Sequence, residues 1–447
     1  MTLGVRPLCV AALLCAAACD ATPPTATFPE SIDAQLRRSV GPWGVVPIAA
    51  MPQQNPALIA LGRALMFDKI LSGNRDISCA NCHEPALHAT DGLPLAIGTG
   101  GIGTGASRTL GPGRSFVPRN APTLLNSGLG LQYMFWDGRL SRFGPPVPDL
   151  NAPLDQSNVL AAQAMLPVLN RREMRGDVGD TDVFGNPNEL AQIPDDQPAQ
   201  IWQAVMRRLL AVPEYVALFR AAYPGMPPVA LSFNQAANAI AVFQMAELTK
   251  TESPFDQYLR HDDNALSLEE KRGGILFFTT ARCASCHSGP FLGGQSFSNS
   301  GAPQLGPGVG QGAPLDLGRG VLPNNEFYKF AFRVPPLRNV ELTAPYFHDG
   351  ALPTLESVVA HYNDVPTALR AFDPATLPAA VQSSYHGDPA TIDAIMGTLD
   401  FQLRTPLHLT EAERRELVAF LKSLTDPSAR DLSGLEPASV PSGLPVR

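Results

Sequence analysis

Two short segments of this 447-residue chain set a pair of thiols and an imidazole at one fixed spacing: Cys79-Ala-Asn-Cys82-His83 and Cys283-Ala-Ser-Cys286-His287. Thiols three residues apart can reach the two vinyl groups of one porphyrin, and the imidazole next in sequence then lies under the iron. A zinc site built from both pairs, or a redox-active dithiol, is the other use of such residues. Zinc knuckles need no His after each pair, and a dithiol usually sits in a thioredoxin-like βαβ context that surrounds neither segment. Of the seven cysteines, the other three (Cys9, Cys15 and Cys19) belong to the N-terminal stretch. The expectation is therefore two covalent haem c groups, with His83 and His287 as proximal iron ligands.

That N-terminal stretch has Met1 and Arg6, an apolar run from Leu8 to Ala18, and the small residues Ala16-Ala17-Ala18 directly before Cys19. These are the three parts of a secretory signal, so residues 1–19 read as a signal peptide and the protein as periplasmic. Cys19 is a candidate lipid anchor, although Ala16 stands where lipoproteins usually carry Leu. No later segment has the ~20 uninterrupted apolar residues that span a bilayer. A net charge of −8 without a basic run argues against nucleic acid and suits a basic electron-transfer partner.

The elements that must position the motifs are helical. Leu58, Leu61 and Leu65 give residues 55–67 a helical stripe ahead of Cys79. Residues 268–278 repeat this ahead of Cys283, opening with the capping box Ser267 and Glu270. Further helical patterns cover 201–222, 233–248 and 411–424, and strand signals are few. The 38 glycines and 44 prolines follow no period and imply long irregular loops. The fold expected is mainly α, two cytochrome c-like haem domains with long Gly/Pro-rich loops. The N-terminal domain is set at 20–255, the C-terminal domain at 256–427 and a Pro/Ser-rich tail at 428–447. Gly98-Thr-Gly-Gly-Ile-Gly-Thr-Gly105 lacks the strand and helix of a nucleotide-binding turn and reads as a flexible loop.

From about Gly62 to Leu424 the sequence resembles the bacterial di-haem cytochrome c peroxidase family. The resemblance is carried by Ser78–His83, Arg119-Asn-Ala-Pro-Thr123, Phe135-Trp-Asp-Gly-Arg139, Asp316-Leu-Gly-Arg319, Val334-Pro-Pro-Leu-Arg-Asn339 and Leu342-Thr-Ala-Pro-Tyr-Phe-His-Asp-Gly350. It implies that hydrogen peroxide reacts at the N-terminal haem. In several peroxidases a second His blocks that iron until reduction; His88, only five residues past His83, is too close to reach round the porphyrin and reads as an exposed loop residue. The resemblance also implies a distal Gln and Glu ten positions apart, which Gln163 and Glu173 match, with the insertion at 141–162 just before them. A distal carboxylate can carry a proton between the two peroxide oxygens. Read alone, Glu173 between Arg172 and Arg175 is a solvated surface charge. Trp136 matches the tryptophan between the haems and, read alone, is a core aromatic. Asn120, Thr343 and Pro345 match a calcium position, through an amide oxygen and two backbone carbonyls.

The second haem separates subgroups. Typical members place Met fourteen residues past the His of the Tyr-Phe-His-Asp-Gly motif; counting from His348 reaches Tyr362, a departure toward the MauG-like subgroup. Periodicity agrees independently, since a helix capped by Thr354 puts Leu355, Val358, Val359 and Tyr362 on one face and turns His361 toward the rim. A buried Tyr362 hydrogen-bonded elsewhere is the other reading. A phenolate favours oxidised iron where a thioether favours reduced iron. The resemblance then implies an enzyme that uses peroxide to oxidise a periplasmic protein partner through a high-valent di-haem state. The alternatives are a defensive peroxidase fed by a small cytochrome, or a non-catalytic di-haem electron carrier.

Overall fold

The computed structural model describes residues 1–2, 30–142 and 159–447. The signal segment and Cys19 lie outside these residues. Residues 32–447 form one compact body.

The chain is mainly helical, as expected. Its principal helices are α1 (Ile32–Val40), α2 (Pro56–Phe67), α3 (Val159–Ala164), α4 (Pro198–Leu210), α5 (Pro213–Ala222), α6 (Phe233–Glu247), α7 (Leu268–Phe278), α8 (Leu355–Asn363) and α9 (Glu411–Lys422). Local chemistry sets their ends. The Asn55 side chain accepts from the Ala57 N–H at the start of α2, where Pro56 needs no donor. Capping boxes open α6 at Ser232 and α7 at Ser267. The stretch expected as one helix over 201–222 is two, because Pro213 removes an N–H and clashes with a continuing helix; it starts α5 instead. Described strands are confined to two short antiparallel ladders. β1 (Tyr133–Met134) pairs with β2 (Leu140–Ser141), and β3 (Phe297–Ser298) with β4 (Phe332–Arg333).

Two hydrophobic clusters dominate. The first is built on α2 packed across α6, the second on α7 packed across α9. Each CxxCH therefore follows a helix that is itself pinned in a core. The helix contacts are close because Gly62 and Gly273 carry no Cβ; one added there would collide with the backbone carbonyl of Ala239 or of Glu416.

The chain ends are exchanged between the clusters. Leu36, Val40 and Val45, numbered with the first motif, are buried in the second cluster. Residues 429–446, expected as a tail, contribute Ala429, Leu432, Val440 and Leu444 to the first. Asp68 fastens this return: its carboxylate accepts from Ser442 Oγ at 2.6 Å and from Tyr215 Oη at 2.8 Å.

The Gly98–Gly105 segment is not a flexible loop. A Cβ at Gly98 would run into the Arg172 carbonyl, Thr99 donates to the Glu173 carbonyl at 2.8 Å, and the Arg108 guanidinium donates to the carbonyls of Ile97, Gly98 and Gly103. Its glycines permit close backbone approach, which composition alone reads as looseness.

Candidate haem sites

The two motif histidines are oriented alike. His83 Nδ1 lies 3.2 Å from the Ala89 carbonyl and His287 Nδ1 lies 3.0 Å from the Leu292 carbonyl, with the backbone of Pro122 and of Pro335 also bonding to the respective rings. A Nδ1–H held by a carbonyl fixes the tautomer and leaves Nε2 as a ligand. Burial pushes both imidazoles down to about 4, so both are neutral. Both prolines belong to matching segments, Arg119–Thr123 and Val334–Asn339; these second contacts were not found in the sequence.

The second site is a cavity of about 250 Å³ whose wall includes Cys283, Cys286, His287 and Tyr362. Thr354 caps α8, and Leu355, Val358, Val359 and Tyr362 all line this cavity, the face that periodicity indicated. Burial, first, and the neighbouring Cys286 push the Tyr362 phenol up, against a hydrogen bond with Ser300. His361 does not line the cavity, but its partner Ser300 does. His361 is 5% exposed, with Nε2 2.9 Å from the carbonyl of Ser300, whose neighbour Gly301 also approaches the ring.

A haem fits these walls. Its propionates are anions, and the buried Arg333 guanidinium, which lines the cavity, has Nη1 without a hydrogen-bond partner; burial lowers it to about 10. His348, also on the wall, stacks on Phe332 at 3.6 Å. Its Nε2 lies 3.9 Å from Asp349 Oδ2, yet burial pushes the imidazole down to about 3 and the carboxyl up. The pair is therefore neutral rather than ionic.

At the first motif, Cys79 and Cys82 pack against the first cluster and carry no disulfide. Glu173 lies on a wide helical turn, Arg171–Arg175, of the π type often found at functional sites. It is half-buried, and Asn170 Nδ2 donates to its Oε1 at 2.8 Å. Burial raises its carboxyl above the usual range against the pull of Arg139 and Arg119, and its charge acts on both thiols. It is thus not the solvated surface charge that its flanking arginines suggested. Gln163 is half-buried near the end of α3. His88 is half-buried rather than exposed: its Nδ1 lies 3.0 Å from the Ala429 carbonyl, on the returning C-terminal segment.

Trp136 and Asn120 connect the sites. The Trp136 indole N–H donates to the Asn120 carbonyl at 3.0 Å, Arg333 N–H donates to the Trp136 carbonyl at 2.6 Å, and both Trp136 and Asn120 line the cavity holding His287. Asn120 lies two residues before Pro122, which meets His83. The preceding residue, Phe135, has φ +65°, rare for a bulky side chain. Arg139 lies over its ring at 3.8 Å and Arg333 Nε donates to its carbonyl at 3.1 Å. Thr343 and Pro345 line the same cavity as Asn120. One amide and two carbonyl oxygens are hard donors that fit calcium, though with no carboxylate among them.

The chain is similar to known proteins in sequence and fold. The family model for di-haem cytochrome c peroxidase matches residues 56–264. The chain is 31% identical over 390 residues to the methylamine utilization protein MauG of Methylorubrum extorquens, covering 86% of this chain and 84% of that protein. It is 33% identical over 302 residues to the cytochrome c551 peroxidase of Pseudomonas aeruginosa, covering 67% and 70%. A solved MauG-like protein associated with microbial copper homeostasis superposes with a TM-score of 0.58 at 26% identity, over 86% of this chain and 94% of that one. Paired CxxCH segments, each beneath a packed helix, and this similarity along most of its length make the chain a member of the di-haem cytochrome c peroxidase family, haem oxidoreductases that carry two haem c groups and act on hydrogen peroxide.

Proposed function

We propose that this peroxidase is MauG-like, spending hydrogen peroxide to oxidise a protein partner in the periplasm. The observation that carries this reading is Tyr362 on the wall of the cavity that also holds Cys283, Cys286 and His287. When bound, the haems supply the electron transfer that reduces peroxide by two electrons. Cys79 and Cys82 anchor the first by thioether bonds and Cys283 and Cys286 the second. His83 and His287 would each offer Nε2 as an iron ligand, and Tyr362 would supply a further ligand at the second haem.

Glu173, held by Asn170, takes a proton from one oxygen of peroxide and returns it to the departing one, and Gln163 is the second residue assigned to that distal side. Trp136, its indole fixed on Asn120, carries electrons between the two sites. Asn120, through its side-chain oxygen, and Thr343 and Pro345, through their carbonyls, hold a calcium ion. Residues 1–19 direct export, and Cys19 carries a lipid anchor. Relatives named cytochrome c551 peroxidase favour a second reading, peroxide removal with electrons from a small cytochrome.

The test is the oxidation state in which peroxide is consumed. The resting ferric protein should show one high-spin and one low-spin centre and react without prior reduction. Tyr362→Met should shift the second centre's potential upward and make the reaction depend on half-reduction. A parent that itself needs half-reduction would establish the second reading.

A further inference from the structure

Oxidising a partner too large to enter the molecule requires that electrons reach the cavity from the surface. A line of aromatic rings leads outward beside Trp136. Phe297 sits in β3 next to Ser298, a cavity-wall residue, and pairs in register with Arg333, another. Its ring rests on Gly138, where any Cβ would collide with it, two residues from Trp136. Tyr133 meets Phe297 edge-on with centroids 4.9 Å apart, and Tyr328 meets it from another side at 6.3 Å. Tyr328 is 39% exposed, and beyond it Phe327, at 5.6 Å, is 88% exposed.

One cation governs the cluster. The Arg319 guanidinium lies 4.1 Å from the Phe297 centroid, 5.5 Å from that of Tyr133 and 5.9 Å from that of Tyr328. It is held by the carbonyls of Asp137 and Gly138 at 3.1 and 3.3 Å, in the loop that carries Trp136.

We infer that Tyr328 is the surface residue at which electrons from the protein partner enter, passing by Phe297 and Tyr133 to the Trp136 loop. This rests on the peroxide-driven oxidation proposed above and names its route. Phe297 is hard to oxidise and serves as a bridge; the two phenols are the stations. The cation over the rings disfavours further positive charge there, so Tyr328 gives up its electron together with its phenolic proton, which water takes at the exposed edge. It recovers one electron and one proton from a phenol or indole of the partner. Two such turns supply the two electrons that, with two protons, reduce one hydrogen peroxide to two waters.

The holo-protein is treated with peroxide and a nitroso spin trap, without donor, in both ferric and half-reduced states, and adducts are mapped by peptide mass spectrometry. The expected result is an adduct on Tyr328 in whichever state the haem bands respond. It should be lost in Tyr328→Phe, greatly reduced in Tyr133→Phe and retained in Tyr385→Phe, whose ring packs on Phe372. Responding haem bands with no Tyr328 adduct, or an undiminished adduct in Tyr133→Phe, would overturn the route. The haem bands separately report the redox state that peroxide needs, so failure of the route and failure of the MauG-like reading are distinguishable.

Discussion

Glu173 owes its character to position rather than type. A solvated Glu titrates near ~4.3, but burial favours its neutral form and raises it. A proton acceptor must be ionised, so the reaction with peroxide should accelerate as pH rises through a titration displaced above the ordinary carboxylate range. The same raised value means that ionising Glu173 costs stability as pH rises through that window. Glu173→Gln should accordingly leave thermal stability at neutral pH unchanged or slightly higher, abolish this pH limb and slow the peroxide reaction by about 10²–10⁴-fold. Stopped-flow rates across pH check this; a variant that keeps both rate and limb removes Glu173 from the chemistry. At this scale the sequence was legible in the two CxxCH segments, whose spacing chemistry fixes, and in the helix face that sets Tyr362 on the cavity wall. His88 was misread as exposed, and the partner of His361 went unseen, because the carbonyls of Ala429 and Ser300 come from distant chain. Phe135 gave no sign of its positive φ, since nothing in residue type announces it.

Helices were the most legible elements, because periodicity and caps are local. The start of α7 at Ser267 and of α8 at Thr354 follows from side chains three residues apart. What periodicity cannot supply is which helices meet. Gly62 and Gly273, whose residue type alone weakens a helix, are crossing points, α2 over α6 and α7 over α9. Replacing either by Ala forces backbone apart, and overpacking of this kind costs about 1–3 kcal/mol. The two variants should differ spectroscopically: Gly62→Ala disturbing the haem at His83, Gly273→Ala the haem at His287, each with a lower melting temperature. Equal disturbance of both spectra by either variant would mean that the two helix pairs do not support their sites separately.

Across the whole molecule, similarity extends along most of the chain, but the exchange of termini between the cores was invisible, because it depends on contacts between residues hundreds apart. So was the buried ion network. Arg119, just before Asn120, donates to Asp137 at 2.7 Å and to Asp316 at 2.6 and 2.9 Å, while Arg139 also reaches Asp137 at 2.9 Å. Asp137 and Asp316 are each 1% exposed. Their carboxyls are held below the usual range by Arg119 despite burial, which alone would raise them. Because both folded values are depressed, their stabilisation is complete above the unfolded Asp value of ~3.9 and is lost as pH falls through and below it. Removing one partner strands charge in the interior, so Asp316→Asn should destabilise by about 3–5 kcal/mol at neutral pH. It should also flatten the acid limb, since one of the two titrating carboxyls is gone. Melting temperatures of parent and variant from neutral pH down to pH ~3 measure both effects. The network also ties the loop carrying Trp136 to the Asp316–Arg319 segment, so the variant's inter-haem electron transfer should slow together with its loss of stability. A variant that loses stability yet transfers electrons at the parent's rate would confine the network to folding.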